Sequence, residues 1–390
     1  MKKVLWLASW YPNAMEPFSG DFIKRQAEAV SIYQPLTILF VGKQSPAFGN
    51  QGMEARDEIH ESAQLKEYIF YIRATTKNPF PVSGLRSWYA YFRKHAEFIH
   101  QLRLEKQLPD LVHVQVAMKA GLIALYLKWK YKIPFVLTEH WSGYFADTKD
   151  SLFRKSLLRR YLTKLILRNA GRLLPVSDSL GCQIRDNWAS VSFQKIPNVV
   201  DTNFFYPSKS ELEGEFRFIH ISTLLYPKNP EGIIRSFKKL LSLGIQASLV
   251  LVGPLNPEIQ EIIREEGSEK IICTGEIPYE QVGVELRRSS ALVMFSYYET
   301  MSCVVIEALC TGIPVIASRV GGIPEVLGEN NGLLVEAGNE NELLEAMKKM
   351  ITNYHIYQKD NISQEATAQF SYQTVGRKIV QVYEDVLKGL

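Results

Sequence analysis

Short apolar runs alternate with longer stretches of helical spacing along almost the whole chain. In the first half KKVLWLAS, LTILFVG, YIFYIRA, DLVHVQV, FVLTEH and GRLLPVS predict strands, and FRFIHIST, ASLVLVG, KIICTGEI, ALVMFS, PVIASRV and GLLVEA do so in the second. Between most of them lie amphipathic patterns such as FIKRQAEAVSIY, GIIRSFKKLLSLG and NELLEAMKKMITNYH. Strands that are apolar at nearly every position leave no face for water, so they predict parallel sheets covered on both faces by helices. The alternation pauses over 198–215, a polar, charged, proline-containing stretch that reads as a domain boundary, and then restarts. The expected fold class is α/β: two Rossmann-like domains with a cleft between them, ligands sitting beyond the carboxyl ends of the strands. SYQTVGRKIVQVYEDVLKGL predicts one more helix after the second sheet is complete.

Composition fits this reading. The 390 residues are 46% hydrophobic and 22% charged, as in soluble two-domain proteins rather than disordered chains. No apolar run approaches the roughly 18 residues that span a bilayer. MKKVLWLASWYP mimics a signal peptide but lacks an A-x-A-like site and is read as the first strand. Four cysteines without a C-x-x-C pair predict free thiols in a reducing compartment. The net charge of +4 hides an asymmetry. Residues 1–200 carry 28 Lys+Arg against 16 Asp+Glu (+12), and residues 201–390 carry 17 against 25 (−8). The basic half is suited to an anionic surface, nucleic acid and membrane being the candidates.

The chemistry concentrates in YYETMSCVVIEALCTGIPV, residues 297–315. SSALVMFSYYE is a strand and its exit. MSCVVIEALCTG is a helix stopped at Gly312–Ile313–Pro314 and capped by Ser302 or Thr300. A helix start offers unpaired N–H groups and a positive dipole end, an anion site suited to a diphosphate. Glu299 precedes that site and Glu307 lies more than a turn inside it, with seven residues between them. Carboxylates accept hydrogen bonds in pairs and vicinal hydroxyls supply them in pairs, so a diphosphate flanked by two polyols, a nucleotide-sugar, suits the pattern. The bland alternative pairs Glu307 with a nearby lysine and leaves Glu299 exposed.

These residues resemble the E-x7-E motif of the retaining GT-B glycosyltransferases of family GT4. The resemblance extends through EALCTGIPVIASRVGGIPE, which includes Glu325, and KIPNVVDTNFFYP at the junction. It continues in VLTEHW with His140, LPVSDSL, and the glycine-containing first loop SWYPNAMEPFSGDFIKRQAEAV. It spans nearly the whole chain. It implies a GT-B fold whose two Rossmann-like domains face a deep interdomain cleft. Residues 1–203, joined by the helix at about 372–390, would be the N-terminal acceptor-binding domain, and 204–371 the nucleotide-sugar-binding domain.

The resemblance also implies roles. Glu307 would accept the ribose hydroxyls, and Glu299 would contact hydroxyls of the donor sugar. The backbone around Thr300, Met301, Ser302 and Cys303 would hold the distal phosphate. Lys228 would neutralise the diphosphate, Gly20 would let the first loop approach the same phosphates, and Ile277 in GEIPYEQV would border the base. His140 would face the reacting sugar, making His140, Glu299 and Lys228 the candidate catalytic residues. Two departures stand out: Ser222-Thr223-Leu224 replaces the usual Gly-Arg-Leu, so Thr223 stands where a diphosphate-binding arginine is common, and Thr300 replaces a glycine.

The implied activity is retaining transfer from a UDP- or GDP-type sugar to a saccharide or lipid-linked acceptor, in cell-surface polysaccharide or lipopolysaccharide assembly. No D-x-D occurs, so no metal is expected, and the nucleotide-sugar is substrate rather than cofactor. A nucleotide-sugar epimerase and a non-catalytic nucleotide-sugar-binding subunit are the alternatives. Nucleic acid is disfavoured as a partner because no recognised module accompanies the basic half. Residues 151–172 hold seven Lys or Arg and no acid, with Leu152, Leu158, Leu162, Leu165 and Ile166 at helical spacing. They predict a basic amphipathic helix, either packed on the sheet with a solvated basic face or also touching an anionic leaflet. The expected location is the cytoplasm, peripheral on the inner face of the cytoplasmic membrane. His113, inside an apolar strand, is expected in the core or a cleft wall. Glu325 is expected to stabilise a loop or to touch ligand.

Overall fold

The computed structural model describes residues 2–44, 56–73, 82–209, 214–266 and 269–389. Ala74 and Leu390, which end two of the predicted elements, and residues 210–213 of the 198–215 stretch lie outside them. The chain divides into two compact units, one of Met1–Val176, Gly181–Pro197 and Tyr372–Leu390, the other of Ser177–Leu180 and Asn198–Ser371.

The first unit runs β1 (Val4–Ala8), α1 (Asp21–Ser31), β2 (Leu36–Gln44), β3 (Glu58–Glu61), β4 (Leu65–Arg73), α2 (Val82–Leu104), β5 (Leu111–Gln115), α3 (Ala120–Tyr131), β6 (Phe135–Glu139), α4 (Leu157–Asn169) and β7 (Arg172–Pro175), and α5 (Asp178–Asn187) follows. Its seven strands lie in the order β3-β4-β2-β1-β5-β6-β7, all parallel except β3 against β4. β1, β5 and β6 are buried at every position, as continuous apolar runs require. The sequence pattern missed β3: EIHE is largely exposed and has no apolar alternation, as suits a charged edge strand.

The second unit runs β8 (Phe216–Ile221), α6 (Pro230–Ser242), β9 (Ala247–Val252), α7 (Pro257–Glu266), β10 (Ile271–Gly275), α8 (Tyr279–Arg287), β11 (Ala291–Met294), α9 (Cys303–Cys310), β12 (Val315–Ser318), β13 (Gly332–Val335), α10 (Glu340–Thr352) and α11 (Lys359–Phe370). Its all-parallel sheet has the order β10-β9-β8-β11-β12-β13. With β3 set aside, both sheets have the 3-2-1-4-5-6 order of dinucleotide-binding folds. The order reverses between β1 and β5 in one sheet and between β8 and β11 in the other, and loops leaving the strands there flank a crevice.

The last helix, α12 (Tyr372–Lys388), packs on α1 in the first unit. Its buried Tyr383 hydroxyl accepts from Trp6 Nε1 (3.0 Å) and bonds His113 Nδ1 (2.6 Å), and Thr138 Oγ1 lies 2.7 Å from His113 Nε2. His113 is thus a satisfied core residue, fully buried. Burial, and then the charge of His140, lower its pKa to about 3, so it is neutral.

The basic stretch 151–172 is not one helix. A single turn covers Leu152–Arg154, Ser156 then caps α4 by accepting from the Arg159 amide (3.3 Å), and Arg172 already begins β7. A side-chain acceptor at Ser156 sets the helix start, because its first amides have no partner inside the helix. Leu152 and Ile166 are buried, whereas Leu158 is exposed.

Candidate functional site

In the second unit the site grows from the two loops at the reversal of strand order. The loop leaving β8 runs to Lys228 and ends at Asn229, whose side chain caps α6 by accepting from the Gly232 amide (3.1 Å), with Pro230 opening the helix. Ser222 Oγ accepts from the Leu224 amide (2.9 Å) and lies 2.8 Å from His220 Nε2, pinning the turn that replaces Gly-Arg-Leu; Thr223 points to the surface. The loop leaving β11 is tied to it by the Tyr297 amide on the Pro227 carbonyl (2.9 Å). Lys228 Nζ therefore reaches Glu299 Oε1 at 2.5 Å, and Ser296 Oγ donates to the same oxygen at 2.8 Å. The Glu299 side chain is 9% exposed and that of Lys228 25%. Glu299, which the bland alternative left exposed, is instead held against Lys228.

α9 begins two residues after Met301. Ser302 has the extended backbone of a capping residue, but its side chain caps no amide of the helix, contrary to the sequence expectation. Glu307 lies in the second turn, 3% exposed, and accepts from the Tyr279 hydroxyl (3.0 Å). Tyr279 opens α8, two residues after Ile277. The segment expected to border a base thus also supplies a partner for the second acid, a residue the sequence did not single out.

Three features brace this loop. Gly321 (φ +52°) lies against the Glu299 carbonyl, and Gly322 lies against that of Thr300, to which its own amide donates (3.0 Å). Only glycine allows both this dihedral and this closeness. Asn198, from the junction motif, donates through Nδ2 to the Met301 carbonyl (3.1 Å). Further along that motif, Phe205 packs on the Tyr279 ring, centroids 4.9 Å apart. The junction therefore supports the environments of both acids. Glu325 accepts from the Asp178 and Ser179 amides (2.9 and 2.8 Å), holding the start of α5. That is the loop-stabilising alternative.

Gly20 and His140 belong to the first unit. Gly20 precedes α1 with φ +71°, and a β-carbon there would meet the Trp10 carbonyl carbon at 2.6 Å. The close approach that excludes a side chain at Gly20 is thus made by this chain's own backbone. His140, just beyond β6, is buried, places Nε2 3.1 Å from Gln115 Oε1 and packs on Phe22 (centroids 4.7 Å). Its neighbour Glu139 is fully buried and accepts from the amides of Ala117 (3.0 Å), His140 (3.1 Å) and Trp141 (3.1 Å) and from the Tyr144 hydroxyl (2.9 Å). Burial raises its pKa while these donors lower it. Glu139 organises the loops leaving β5 and β6. Its signal in the sequence was an acid ending an apolar strand.

Two parallel α/β units of 3-2-1-4-5-6 order, with two acids about a helix start in the second, define the class: a glycosyltransferase of GT-B fold. The family described as Glycosyl transferases group 1 matches residues 203–369, and that described as Glycosyltransferase Family 4 matches residues 53–204. The chain belongs to the GT4-type glycosyltransferases. It is similar to the putative teichuronic acid biosynthesis glycosyltransferase TuaC of Bacillus subtilis, 25% identical over 96% of this chain and 93% of that protein. It is also similar to the MMP alpha-(1->4)-mannosyltransferase of Mycolicibacterium hassiacum, 26% identical over 71% of each. Among solved structures, sucrose-phosphate synthase from Thermosynechococcus elongatus matches over 100% of both chains (TM-score 0.77, 18% identity). Anabaena HepE in complex with UDP covers 98% of this chain and 100% of its own (TM-score 0.71, 16% identity). These likenesses show the fold.

Proposed function

We propose that the enzyme moves a sugar, with retention and without a metal, from a nucleotide-diphosphate sugar to a hydroxyl of a saccharide or glycolipid acceptor in cell-surface polysaccharide assembly. The observation that carries the proposal is the Lys228–Glu299–Ser296 cluster beside the start of α9, with Glu307 on the same helix. Teichuronic acid synthesis in the name of a relative, and UDP and UDP-glucose in structures of similar fold, support it.

Departure of a diphosphate is the costly step, because negative charge grows on the leaving oxygens. An ammonium has three donors; one goes to Glu299, and two remain for phosphate oxygens. The amides opening α9 and its dipole add to this. Glu299 accepts from hydroxyls of the donor sugar and Glu307 from the ribose, with Tyr279 fixing the Glu307 carboxylate. In a same-face transfer the acceptor oxygen bonds the anomeric carbon as the bond to phosphate breaks, and the acceptor proton passes to the leaving phosphate oxygen. This path needs no enzymic nucleophile and no metal. UDP or GDP is the nucleotide. Among the described residues no helix is long and apolar enough to cross a membrane. We place the enzyme in the cytoplasm, peripheral on the inner face of the membrane, with the basic segment 151–172 towards anionic lipid.

The test is thermal melting with UDP, GDP, ADP and their sugars, beside Glu307→Ala, followed by product analysis with and without acceptor. A ligand at about 100 times its Kd adds roughly 2.7 kcal/mol. A shift for one diphosphate that shrinks in the variant supports the assignment. Sugar interconversion without acceptor would point to an epimerase, and the absence of any shift would overturn the donor site.

A further inference from the structure

The first sheet has its own reversal of strand order, and a cavity of about 870 Å³ opens there. Trp10 enters it from the loop after β1, Val116 and Lys119 from the loop after β5, and Trp141 from the loop after β6. Leu85, Trp88 and Phe92 of α2 and Leu158, Arg159 and Leu162 of α4 complete its walls. Val116, a β-branched residue, is held at φ +68°, a conformation costly enough to mark functional loops.

Two cations line the cavity. The Arg159 guanidinium stands over Trp141 (5.5 Å), and its Nε is buried without a hydrogen-bond partner among the described residues. The Lys119 ammonium stands over Trp88 (5.9 Å) and Tyr91 (5.6 Å). Burial first, and then the charges of Lys43 and Arg159, hold its pKa below the usual lysine range. Asp150, also in the lining, forms an ion pair with Lys155. Like charges collected in one partly buried place are complemented by an anion. The volume is that of a site for a whole small molecule, far more than one anionic group fills. Apart from Ser9 and Ser156 the remaining wall is aromatic and aliphatic; it includes Leu85 and Leu158, 69% and 66% exposed, and Tyr89 on α2 and Leu157 and Tyr161 on α4 are exposed as well.

We propose that this cavity binds an anionic group carried on an apolar chain, a lipid phosphate, with the phosphate between Lys119 and Arg159 and the chain running out past Leu158 and Leu85. The inference rests on the transferase reading in one respect: the lipid phosphate is the carrier of the acceptor. Beyond the two cations, Asp150, Ser9 and Ser156 the lining is mostly apolar, which matches a hydrocarbon chain, and exposed leucines in the lining suit a chain that continues into a lipid surface.

The test is binding of dodecyl phosphate, below its micelle concentration, to the full-length protein, beside inorganic phosphate and dodecyl maltoside. Dodecyl phosphate should bind at least about tenfold more tightly than either. Lys119→Gln and Arg159→Gln should each weaken it about tenfold while leaving dodecyl maltoside unchanged, and Leu158→Ser should weaken both amphiphiles. The nucleotide melting shift is read in the same variants. Its retention shows an intact second unit, and its absence in the wild type, with dodecyl phosphate still bound, would sink the donor-site reading and spare this one. Equal binding of the neutral and anionic chains, or wild-type affinity in both cation variants, overturns the proposal. Inorganic phosphate binding as tightly as dodecyl phosphate overturns the chain and marks a site for free phosphate.

Discussion

Replacing Gly321 by alanine tests whether the loop bearing Glu299 is held where the chemistry needs it. A β-carbon at Gly321 would lie well inside the 3.0 Å that real β-carbons keep, and what it meets is the Glu299 carbonyl, a backbone atom that cannot swing aside. The two must part by about an ångström or more. Alanine must also hold φ +52°, which costs about 1 kcal/mol. Adding about 1–3 kcal/mol for forcing packed backbone apart, the substitution should cost roughly 2–4 kcal/mol. In a unit of this size that lowers melting by about 5–15 °C. Because the displaced atoms belong to Glu299, the shift produced by the preferred nucleotide-sugar should shrink as well. Gly328→Ala is the control, since its β-carbon meets nothing within 4 Å and it should melt as wild type. Scanning calorimetry of both variants, with and without donor, decides the matter. If Gly321→Ala melts within about 1 °C of wild type and binds donor normally, the brace is not what positions Glu299.

Other outcomes are open to the same proteins. Tyr279→Phe removes the hydroxyl donated to Glu307 and should weaken nucleotide binding about tenfold, less than Glu307→Ala; unchanged affinity by calorimetric titration would show that Tyr279 does not orient the carboxylate. Lys228→Ala should lower kcat by about 10²–10³ while lowering melting only slightly, because the ion pair it breaks is partly exposed; a loss confined to KM would remove its role at the leaving group. His95, His113 and His220 are buried, with pKa values lowered by burial to about 4, 3 and 4. Each folded value lies below the unfolded 6.5, so the unfolded chain takes up the proton first. Their contribution is complete above pH 6.5 and is lost as pH falls towards 4, each histidine adding a slope of about 1 kcal/mol per pH unit. Melting should fall steeply over that range and less steeply in His113→Gln, and a flat profile down to pH 4.5 would contradict their neutral burial.

The local pattern determined a good deal about this protein. Twelve strands were legible because their runs are mostly apolar, as burial on both faces requires for β1, β5, β6, β11 and β12. α1, α6, α10 and α12 were legible because an amphipathic helix repeats its apolar residues at a period set by the backbone alone. The two acids about α9 were legible because their spacing is a property of one contiguous segment. β3 was not, since an exposed edge strand needs no apolar period. The break at Ser156 was not, since a serine caps only where the chain around it turns.

Tertiary structure alone decided the partners. Lys228 meets Glu299 across 71 positions, Tyr279 meets Glu307 across 28, and Asn198 meets Met301 across 103. Each pairing depends on which strands become neighbours, and strand order is written in no local window. The same holds for the cavity of Lys119 and Arg159, whose walls come from three loops and two helices that only the packing of the sheet brings together. A residue's type limits the chemistry it can do. The fold chooses what it does that chemistry with, because burial and proximity are set by the whole chain closing on itself.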